Sequence, residues 1–368
     1  MNKAIKYRLY PTKEQEEMFS KTFGCCRKIW NLMLNDKIEY YKSTKKMLQT
    51  TPAKYKEMEE YSYLKEVDSL ALANVQLHLQ TAYKNFFRDK KIGFPKFKSA
   101  KHSRRAYTTN NQNGTISIID NGIKLPKLGI VKAKIHRKPD TDWKIKSAII
   151  SQDNDDKFYV SVLFEFDKTI YQVPISDNAI GLDYKSDGLY VDSNGNVCGS
   201  PKYYRKSQKK LARLQRQLSH KENGSNNRNK ARLKVARLQK HTANQRLDFL
   251  HKESTKIANS YDVVCVETLD MRTMSNKGFG NGKATLDNGY GLFLTMLEYK
   301  LADRGKYFVK VNKWYPSSQL CYSCGKQHKE MKNLLTRQFV CDCGYKNDRD
   351  INASLNIKKE GLRLLTVV

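Results

Sequence analysis

Four of the eight cysteines are grouped in one short part of the sequence, in two closely spaced pairs. The first pair is Cys-x-x-Cys and the second is Cys-x-Cys, and each is followed by a glycine that permits a tight turn. Four thiolates at this spacing are typical of a structural Zn²⁺ site that leaves no position open for chemistry. We therefore predict one structural zinc ion, with a redox pair or unrelated core cysteines as the alternatives. The predicted ligands are Cys321, Cys324, Cys341 and Cys343.

Three acidic residues far apart in the sequence stand at positions that a nuclease could use. Asp183 ends an apolar strand-like segment, Glu267 follows another, and Asp350 opens a helical segment. This order of acids is the RNase H-like arrangement. Clustered carboxylates repel unless cations neutralise them, so we expect two Mg²⁺ ions, for which Mn²⁺ can substitute. Such ions activate a water and stabilise the leaving oxygen of a phosphodiester. Taken singly, Asp183 or Asp350 could be a turn residue or a helix N-cap.

The segments that carry these acids have the pattern of a mixed α/β domain. Two short strands are predicted on either side of a turn at 186–188, and an apolar strand is predicted at 262–266. A helix at 291–301 and a strand at 307–311 follow. The segment 278–291 is rich in Gly and Asn, which predicts a flexible loop or lid.

The first half of the chain has a different pattern of apolar and polar residues. Residues 3–10 alternate apolar and basic side chains, which predicts a half-buried strand. A helix start follows, with Thr12 as N-cap and Gln15 completing a capping box. A further helix is predicted at 69–87, and alternating segments return between 105 and 166. The simplest assembly is a small β-barrel that includes the first strand and is interrupted by a helical bundle.

The balance of charge indicates a polyanionic partner. Sixty-eight Lys and Arg against thirty-seven Asp and Glu give a formal charge of +31. Self-repulsion of this size destabilises a compact chain unless a polyanion screens it. Nucleic acid is the favoured partner and a membrane surface the alternative. Charge alone does not separate DNA from RNA.

One segment concentrates this charge. Residues 201–252 contain sixteen Lys and Arg but only two acids, and they have helical spacing with a break at 222–227. We predict a helical hairpin that binds the nucleic-acid backbone, with a merely solvated basic face as the alternative. The candidate contacts are Lys209, Lys210, Arg213, Arg216, Arg232, Arg237 and Lys240.

Nothing in the sequence indicates export or membrane insertion. The first eight residues lack the apolar core of a signal peptide, and no apolar run approaches the ~20 residues that span a bilayer. The remaining cysteines, an adjacent pair and two single ones, do not form a disulfide pattern and favour a reducing compartment. We therefore expect a soluble, cytoplasmic protein with no membrane partner and no long tail after Glu360.

Several short motifs resemble one known family. Asp183 lies in GLDY, Glu267 in VET and Asp350 in DRDINA, while YPSSQLC and CDCG contain three of the predicted zinc ligands. Nearer the start of the sequence stand RLYPT, TAYKNFF and GFPKF. Together these motifs resemble the TnpB (OrfB) proteins of bacterial and archaeal insertion sequences, which are relatives of type V CRISPR effectors. The resemblance covers nearly the whole chain.

The resemblance implies a multidomain α+β fold. Its parts are a wedge-type β-barrel (1–10 and 100–172), a helical recognition lobe (11–99) that interrupts the barrel, and an RNase H-like RuvC nuclease domain (173–368). The nuclease domain would contain the basic hairpin (201–252) and an inserted zinc ribbon (316–346).

The resemblance also implies an activity. A guide (omega) RNA from the transposon end would direct one protein chain to double-stranded DNA beside a short target-adjacent motif, and the single RuvC site would cut it. The RDxNA pattern selects Asp350 rather than Asp348 as the metal ligand. The helix around Ser69 and Gln76 is where the family reads the adjacent motif.

Four other functions compete with this interpretation. A non-enzymatic RNA-guided DNA binder on the same fold would be expected to lack one of the three acids. A cut-and-paste transposase would share the acids and Mg²⁺ but would not account for the basic hairpin or the ribbon. A His-x-His nickase needs paired histidines, which the seven histidines do not form. A zinc-ribbon RNA-binding protein without catalysis is the last alternative.

Overall fold

The computed structural model of the chain describes residues 1–276, 278, 282–333 and 335–366. It divides into two compact units, Met1–Lys168 and Thr169–Val368. The first unit contains a seven-stranded antiparallel sheet and the second a five-stranded mixed sheet. The chain is therefore of mixed α+β class, as predicted. None of the described helices is long and apolar enough to cross a membrane.

The sheet of the first unit has the order β2-β6-β7-β1-β5-β4-β3. Strand β1 pairs with both β7 and β5, so the first strand of the chain completes a sheet whose other strands follow the helices. Its alternation buries Ile5, Tyr7 and Leu9, as predicted. Closure of this sheet into a barrel stays a prediction. The strands are β1 (Asn2–Tyr10), β2 (Arg105–Asn110), β3 (Ser117–Ile119), β4 (Gly122–Leu125), β5 (Gly129–Lys134), β6 (Lys144–Gln152) and β7 (Phe158–Glu165).

The helices between β1 and β2 share one hydrophobic core with this sheet. The first helix begins with the predicted capping box, in which the Thr12 hydroxyl accepts from the Gln15 backbone N–H. The ring of Phe19 stacks on Phe158 of the sheet at 5.2 Å between centroids. The α-helices are α1 (Lys13–Thr44), α2 (Pro52–Lys56) and α3 (Ser69–Arg88), with 3₁₀ turns at Glu59–Lys65 and Lys90–Ile92.

The sheet of the second unit has the order β10-β9-β8-β11-β12. Strands β8, β9 and β10 form an antiparallel meander, whereas β11 runs parallel to both β8 and β12. Strands β8 and β11 are buried almost throughout, which explains their continuous apolar sequence. The strands are β8 (Ala179–Tyr184), β9 (Gly188–Asp192), β10 (Val197–Gly199), β11 (Val263–Glu267) and β12 (Tyr307–Val311).

Helices pack against this five-stranded sheet in two separate hydrophobic clusters. The last helix lies so close to β8 that a Cβ on Gly181 would overlap the Ser354 carbonyl. A glycine at 181 therefore lets this helix reach the sheet. The helices are α4 (Tyr203–Ser219), α5 (Asn226–Ser260), α6 (Met271–Met274), α7 (Gly282–Asn288), α8 (Tyr290–Ala302) and α9 (Arg349–Thr366).

The predicted loop or lid at 278–291 is wrong for most of its length, because α7 and the start of α8 occupy it. Residues 279–281 lie outside the described part. Polar contacts hold α7 in place: the buried Asp287 carboxylate accepts from the Tyr204 and Arg205 backbone N–H groups and pairs with the Arg205 guanidinium. The Asn288 amide donates to the Ser186 carbonyl. These long-range contacts outweigh the local loop preference of Gly and Asn.

A small two-stranded ribbon precedes the last helix. Strands β13 (Gln338–Val340) and β14 (Lys346–Asp348) pair antiparallel, and a 3₁₀ turn covers Lys329–Lys332. The four predicted zinc ligands lie around this hairpin, beside the buried ring of Phe339.

Candidate functional site

The three predicted catalytic acids come from three elements of the second unit. Leu182 of β8 pairs with Val266 of β11, so Asp183 and Glu267 occupy the next positions on neighbouring parallel strands. Asp350 lies in the first turn of α9, the helix that packs on both strands. The fold thus brings together acids that are 84 and 83 residues apart in the chain.

The electrostatics show that the charges of Glu267 and Asp350 act on the Asp183 carboxyl. Burial raises the pKa of Asp183 well above its ordinary value, and the charges of Glu267 and Asp350 raise it further, against the opposing effect of Arg349 and Lys185. Burial also raises the pKa of Glu267 to about 7. Added positive charge nearby would therefore favour the ionised form of both groups at neutral pH.

The donor set fits a hard cation. Carboxylate oxygens are what Mg²⁺ takes in proteins, where it retains several waters and needs only one or two direct carboxylates. The three acids are less tightly grouped than the cysteines. Among the described residues, the four cysteines alone form a set of three or more His, Cys, Asp or Glu with ligand atoms all within 4.8 Å.

Asp348 and Asp350 have different roles in the structure. The Asp348 carboxylate accepts from the backbone N–H groups of Asp350 at 2.8 Å and Ile351 at 3.2 Å, which satisfies the first turn of α9. Asp350 instead acts on the charge of Asp183. Asp348, rather than Asp350, therefore caps the start of α9, and the role of Asp350 as a metal ligand stays a prediction.

Three cations near the acids were missed by the sequence analysis. The Lys185 ammonium lies 3.2 Å from a carboxylate oxygen of Asp350, and Arg337 lies 3.7 Å from the same oxygen. Arg349 is buried, and its charge acts on Asp183. Lys185 and Arg349 are each within two residues of a predicted acid, which was an available signal. Arg337 has no such signal, because only the ribbon hairpin brings it to Asp350.

The four predicted zinc ligands converge with the dimensions of a zinc tetrahedron. The Cys321 and Cys343 sulfurs are 3.7 Å apart, and those of Cys324 and Cys341 are 3.6 Å apart. Ligands bonded to Zn²⁺ at about 2.3 Å are expected about 3.8 Å from one another. The spacing of the sulfurs therefore fits one zinc ion.

The backbone supports this cluster as two turns. Gly325 and Gly344 both have positive φ, at 76° and 88°, as the glycines after each cysteine pair predicted. The backbone N–H of Tyr345, followed by the Cys341 thiol, lowers the pKa of Cys343 to about 7, which favours the thiolate that a metal needs. A residue that sequence reasoning missed, the buried His328, places its Nε2 3.2 Å from the Cys341 sulfur.

Comparison with known proteins identifies relatives that match nearly the whole chain. The chain is 35% identical over 380 residues to a Streptomyces pristinaespiralis protein named "Putative RNA-guided DNA endonuclease", covering 98% of this chain and 90% of that protein. It is 31% identical over 382 residues to InsQ of Escherichia coli K12, which bears the same description, covering 98% and 93%. The chain belongs to the TnpB family.

Family models match three parts of this TnpB-family chain. They are a helix-turn-helix domain (1–46), a probable transposase (161–278) and a Cas12f1-like TNB domain (290–357). The TNB match contains the whole cysteine cluster and Asp350. In this structure, residues 13–44 of the first match form one continuous helix.

A solved structure shares the fold of this TnpB-family chain. It is the cryo-EM structure of the Cas12f1–sgRNA–target DNA complex, with a TM-score of 0.62 over 97% of this chain and 98% of that chain. Sequence identity is 13%, so this similarity shows a shared fold and nothing about function.

The predicted basic hairpin consists of α4 and α5. The apolar residues at helical spacing pack between the arms, with Leu211 and Val235 buried. Of the seven candidate contacts, Arg232 and Lys240 are half-buried, and Arg232 donates to the Asn229 side chain at 3.0 Å. The exposed candidates are Lys209, Lys210, Arg213, Arg216 and Arg237.

The other two candidate contacts lie on α3. Ser69 is exposed at the start of this helix, where its hydroxyl accepts from the Lys56 ammonium at 2.8 Å. Gln76 is half-buried and lies beside the buried Leu72 and Leu79 on the helix, four residues after the first and three before the second. A DNA-reading role for these two side chains stays a prediction.

Proposed function

We propose that this chain is an RNA-guided DNA endonuclease that hydrolyses phosphodiester bonds with Mg²⁺ at a single RuvC-type site. The observation that carries the proposal is the convergence of Asp183, Glu267 and Asp350 from β8, β11 and α9 in a TnpB-family chain. The intact set favours cleavage over RNA-guided binding alone. The names of the two close relatives support the same activity.

The acids would hold the cations, and the neighbouring basic groups would act on the DNA. Bound Mg²⁺ supplies an activated water and stabilises the leaving oxygen. Asp183 and Glu267 are fixed by paired strands, so their carboxylates are held in place by the sheet. Lys185 and Arg337 flank Asp350 with positive charge that a scissile phosphate can contact.

The remaining parts would bind and position the nucleic acids. We propose a wedge region at 1–10 and 100–172, a recognition lobe at 11–99 and a nuclease domain at 173–368. One chain would bind one guide RNA, and α4 and α5 would follow a phosphate backbone. The zinc ribbon at 316–346 would be structural, because four cysteines already complete the ligand set of Zn²⁺.

Reconstitution with the guide RNA tests this function. The purified chain is combined with the structured transcript from the DNA that flanks its gene, and a plasmid library with randomised sequence beside the target is added. We expect Mg²⁺-dependent double-strand cuts in plasmids that match the guide and carry one short adjacent motif. Asp183→Asn should bind the same plasmids without cutting them.

Two outcomes would contradict the proposal. Guided binding without cutting by the unaltered chain would identify an RNA-guided binder. Cutting that persists in Asp183→Asn would place the chemistry elsewhere in the protein.

A further inference from the structure

Trp314, in the segment that follows β12, exposes 82% of its surface. The other two tryptophans of the chain are covered by protein, since Trp30 is buried and Trp143 is half-buried and stacks on the ring of Phe166. Tryptophan is on average a highly buried residue, and at protein surfaces it is enriched among the residues that dominate binding. The exposed ring of Trp314 therefore indicates a partner.

A closed turn fixes the position of this ring. The Tyr315 backbone N–H donates to the Asn312 carbonyl at 3.0 Å, so Lys313 and Trp314 occupy the centre of a four-residue turn. The Trp314 backbone N–H donates to the Asn312 side chain at 2.8 Å. The Lys313 ammonium lies 4.9 Å from the centre of the Trp314 ring. The turn thus presents an aromatic surface beside a positive charge.

The turn begins at the edge of the sheet that carries the proposed catalytic acids. Val311, the last residue of β12, pairs with Glu267, and the backbone N–H and hydroxyl of Thr268 both donate to the Val311 carbonyl. Paired residues on neighbouring strands point to the same face of a sheet. Val311 packs with Ile357 of α9, and Tyr315 packs against the same cluster. Glu267 and the turn are therefore on the α9 face.

The segment that follows the turn reaches the helix of the third acid. The Tyr322 backbone N–H donates to the Asn352 side chain at 3.2 Å, and Asn352 lies two residues after Asp350 in α9. The segment with Trp314 thus starts level with Glu267 and ends beside the first turns of α9. An aromatic ring on this segment lies at the border of the proposed nuclease site.

We propose that the Trp314 ring stacks on an unpaired base of the DNA strand that is cut at the acids. Stacking on an aromatic side chain accepts every base, because every base has an aromatic face. The base must be unpaired, because in a duplex its faces are already stacked on its neighbours. The Lys313 ammonium would contact a phosphate beside that base. The inference rests on the proposed nuclease function and adds a residue that binds the substrate.

Tryptophan emission tests the stacking without any cutting. The full chain is titrated, without added Mg²⁺, with a single-stranded DNA oligonucleotide or with an abasic oligonucleotide of the same length and charge. The emission of Trp314 is the part that Trp314→Phe removes. We expect the oligonucleotide with bases to quench this emission and the abasic one to leave it nearly unchanged, because only the first offers bases to stack.

Cutting by the guided complex tests the placement of the ring. Trp314→Ala should slow single-turnover cutting about tenfold or more and leave guided binding unchanged, whereas Trp314→Phe keeps an aromatic face and should keep most of the rate. The matched control is Tyr171→Ala, which should cut like the parent. Tyr171 is 83% exposed, but it lies against Gly305, before the opposite end of β12. All these variants should keep the thermal midpoint of the parent.

Three results would overturn the proposal: equal quenching by the two oligonucleotides, quenching of Trp314 by the guide RNA in the absence of DNA, or equal cutting rates in Trp314→Ala and the parent. If the unaltered guided complex cuts nothing while only the oligonucleotide with bases quenches Trp314, the proposed function fails and the base-binding role of Trp314 stands.

Discussion

At the scale of single residues, the acids of the proposed nuclease site are placed where they oppose stability. Asp183 and Glu267 are half-buried at the ends of neighbouring strands, and burial raises the pKa of Asp183 well above its ordinary value and that of Glu267 to about 7. Removing such charges from water costs free energy that only a cation or a proton can offset. We therefore expect these acids to lower the folding stability of the chain in the absence of cations.

The raised pKa of Glu267 predicts how the folding stability depends on pH. The folded pKa of Glu267 lies above its ordinary value, so this residue contributes stability at low pH that is lost as pH rises from about 4.5 through 7. Without added divalent cations, Glu267→Gln should be more stable than the parent at pH 8, by about 1–3 kcal/mol, and nearly equal at pH 5. Denaturant unfolding at the two pH values measures the difference. An equal gain at both values would show that titration of Glu267 is not its source.

A second prediction separates Asp350 from Asp348. Asp350→Asn should abolish cutting and leave guide-RNA binding intact, whereas Asp348→Asn should cut normally because its oxygen can still accept from the first turn of α9. Asp348→Ala should lose about 1 kcal/mol of stability. Plasmid cleavage in Mg²⁺ and thermal unfolding give the two measurements. Loss of cutting in Asp348→Asn, with cutting kept in Asp350→Asn, would reverse the assignment.

At the scale of elements, the cysteine ribbon is too small to be stable through its apolar core. Its cluster of buried residues consists of Met331 and Phe339 together with two of the cysteines. Because the four sulfurs already lie close enough together to hold one ion, zinc binding would contribute directly to the folding of this element. The ribbon also positions Arg337 beside Asp350. Unfolding of the ribbon should therefore disturb the proposed nuclease site.

Loss of one ligand should therefore unfold the ribbon. Cys321→Ser should release about one zinc per chain, lower the thermal midpoint and weaken cutting. Cys198→Ser, at a cysteine outside the cluster, should keep the zinc. Metal analysis by mass spectrometry provides the measurement, and purified parent protein without zinc would refute the claim.

The paired helices α4 and α5 permit a test of backbone binding. Neutralising Arg213 and Arg216 together should weaken guide and target binding equally for matched and mismatched DNA. The slope of log affinity against log salt should flatten by roughly one unit per lost phosphate contact. Arg213→Lys/Arg216→Lys keeps the charge and should keep the slope. If Arg213→Ala/Arg216→Ala also leaves the slope of log affinity against log salt unchanged, the hairpin is only a solvated basic face.

At the scale of the whole molecule, the dominant property is the formal charge of +31. Salt screens the self-repulsion of the free chain, and it also screens the attraction between the chain and a guide RNA. Salt should therefore raise the thermal midpoint of the RNA-free protein and lower that of the RNA complex. Thermal unfolding of the RNA-free protein and of the RNA complex, measured across one salt series, gives the sign of the salt effect on each midpoint. The same sign in both would show that charge does not govern RNA binding.

Much of the fold could be predicted because its signals are local. Such signals are the alternation of buried and exposed residues in β1, the capping box at Thr12, and the apolar runs of β8 and β11. Each is contained within a few neighbouring residues. The segment 278–291 was misread for the same reason, since its Gly and Asn content favours a loop locally. Contacts of Asp287 and Asn288 with distant residues decided that it forms a helix.

The sequence alone identified the family of the chain and predicted the chemistry of two candidate sites. Ligand types and short spacings specify a cysteine cluster, and the motifs around Asp183, Glu267 and Asp350 specify the acids. Only the tertiary structure decided which side chains surround them, among them Lys185, Arg337 and Arg349. The physical reason is that ligand identity is a property of single residues, whereas the electrostatic surroundings of a site depend on packing between elements far apart in the chain.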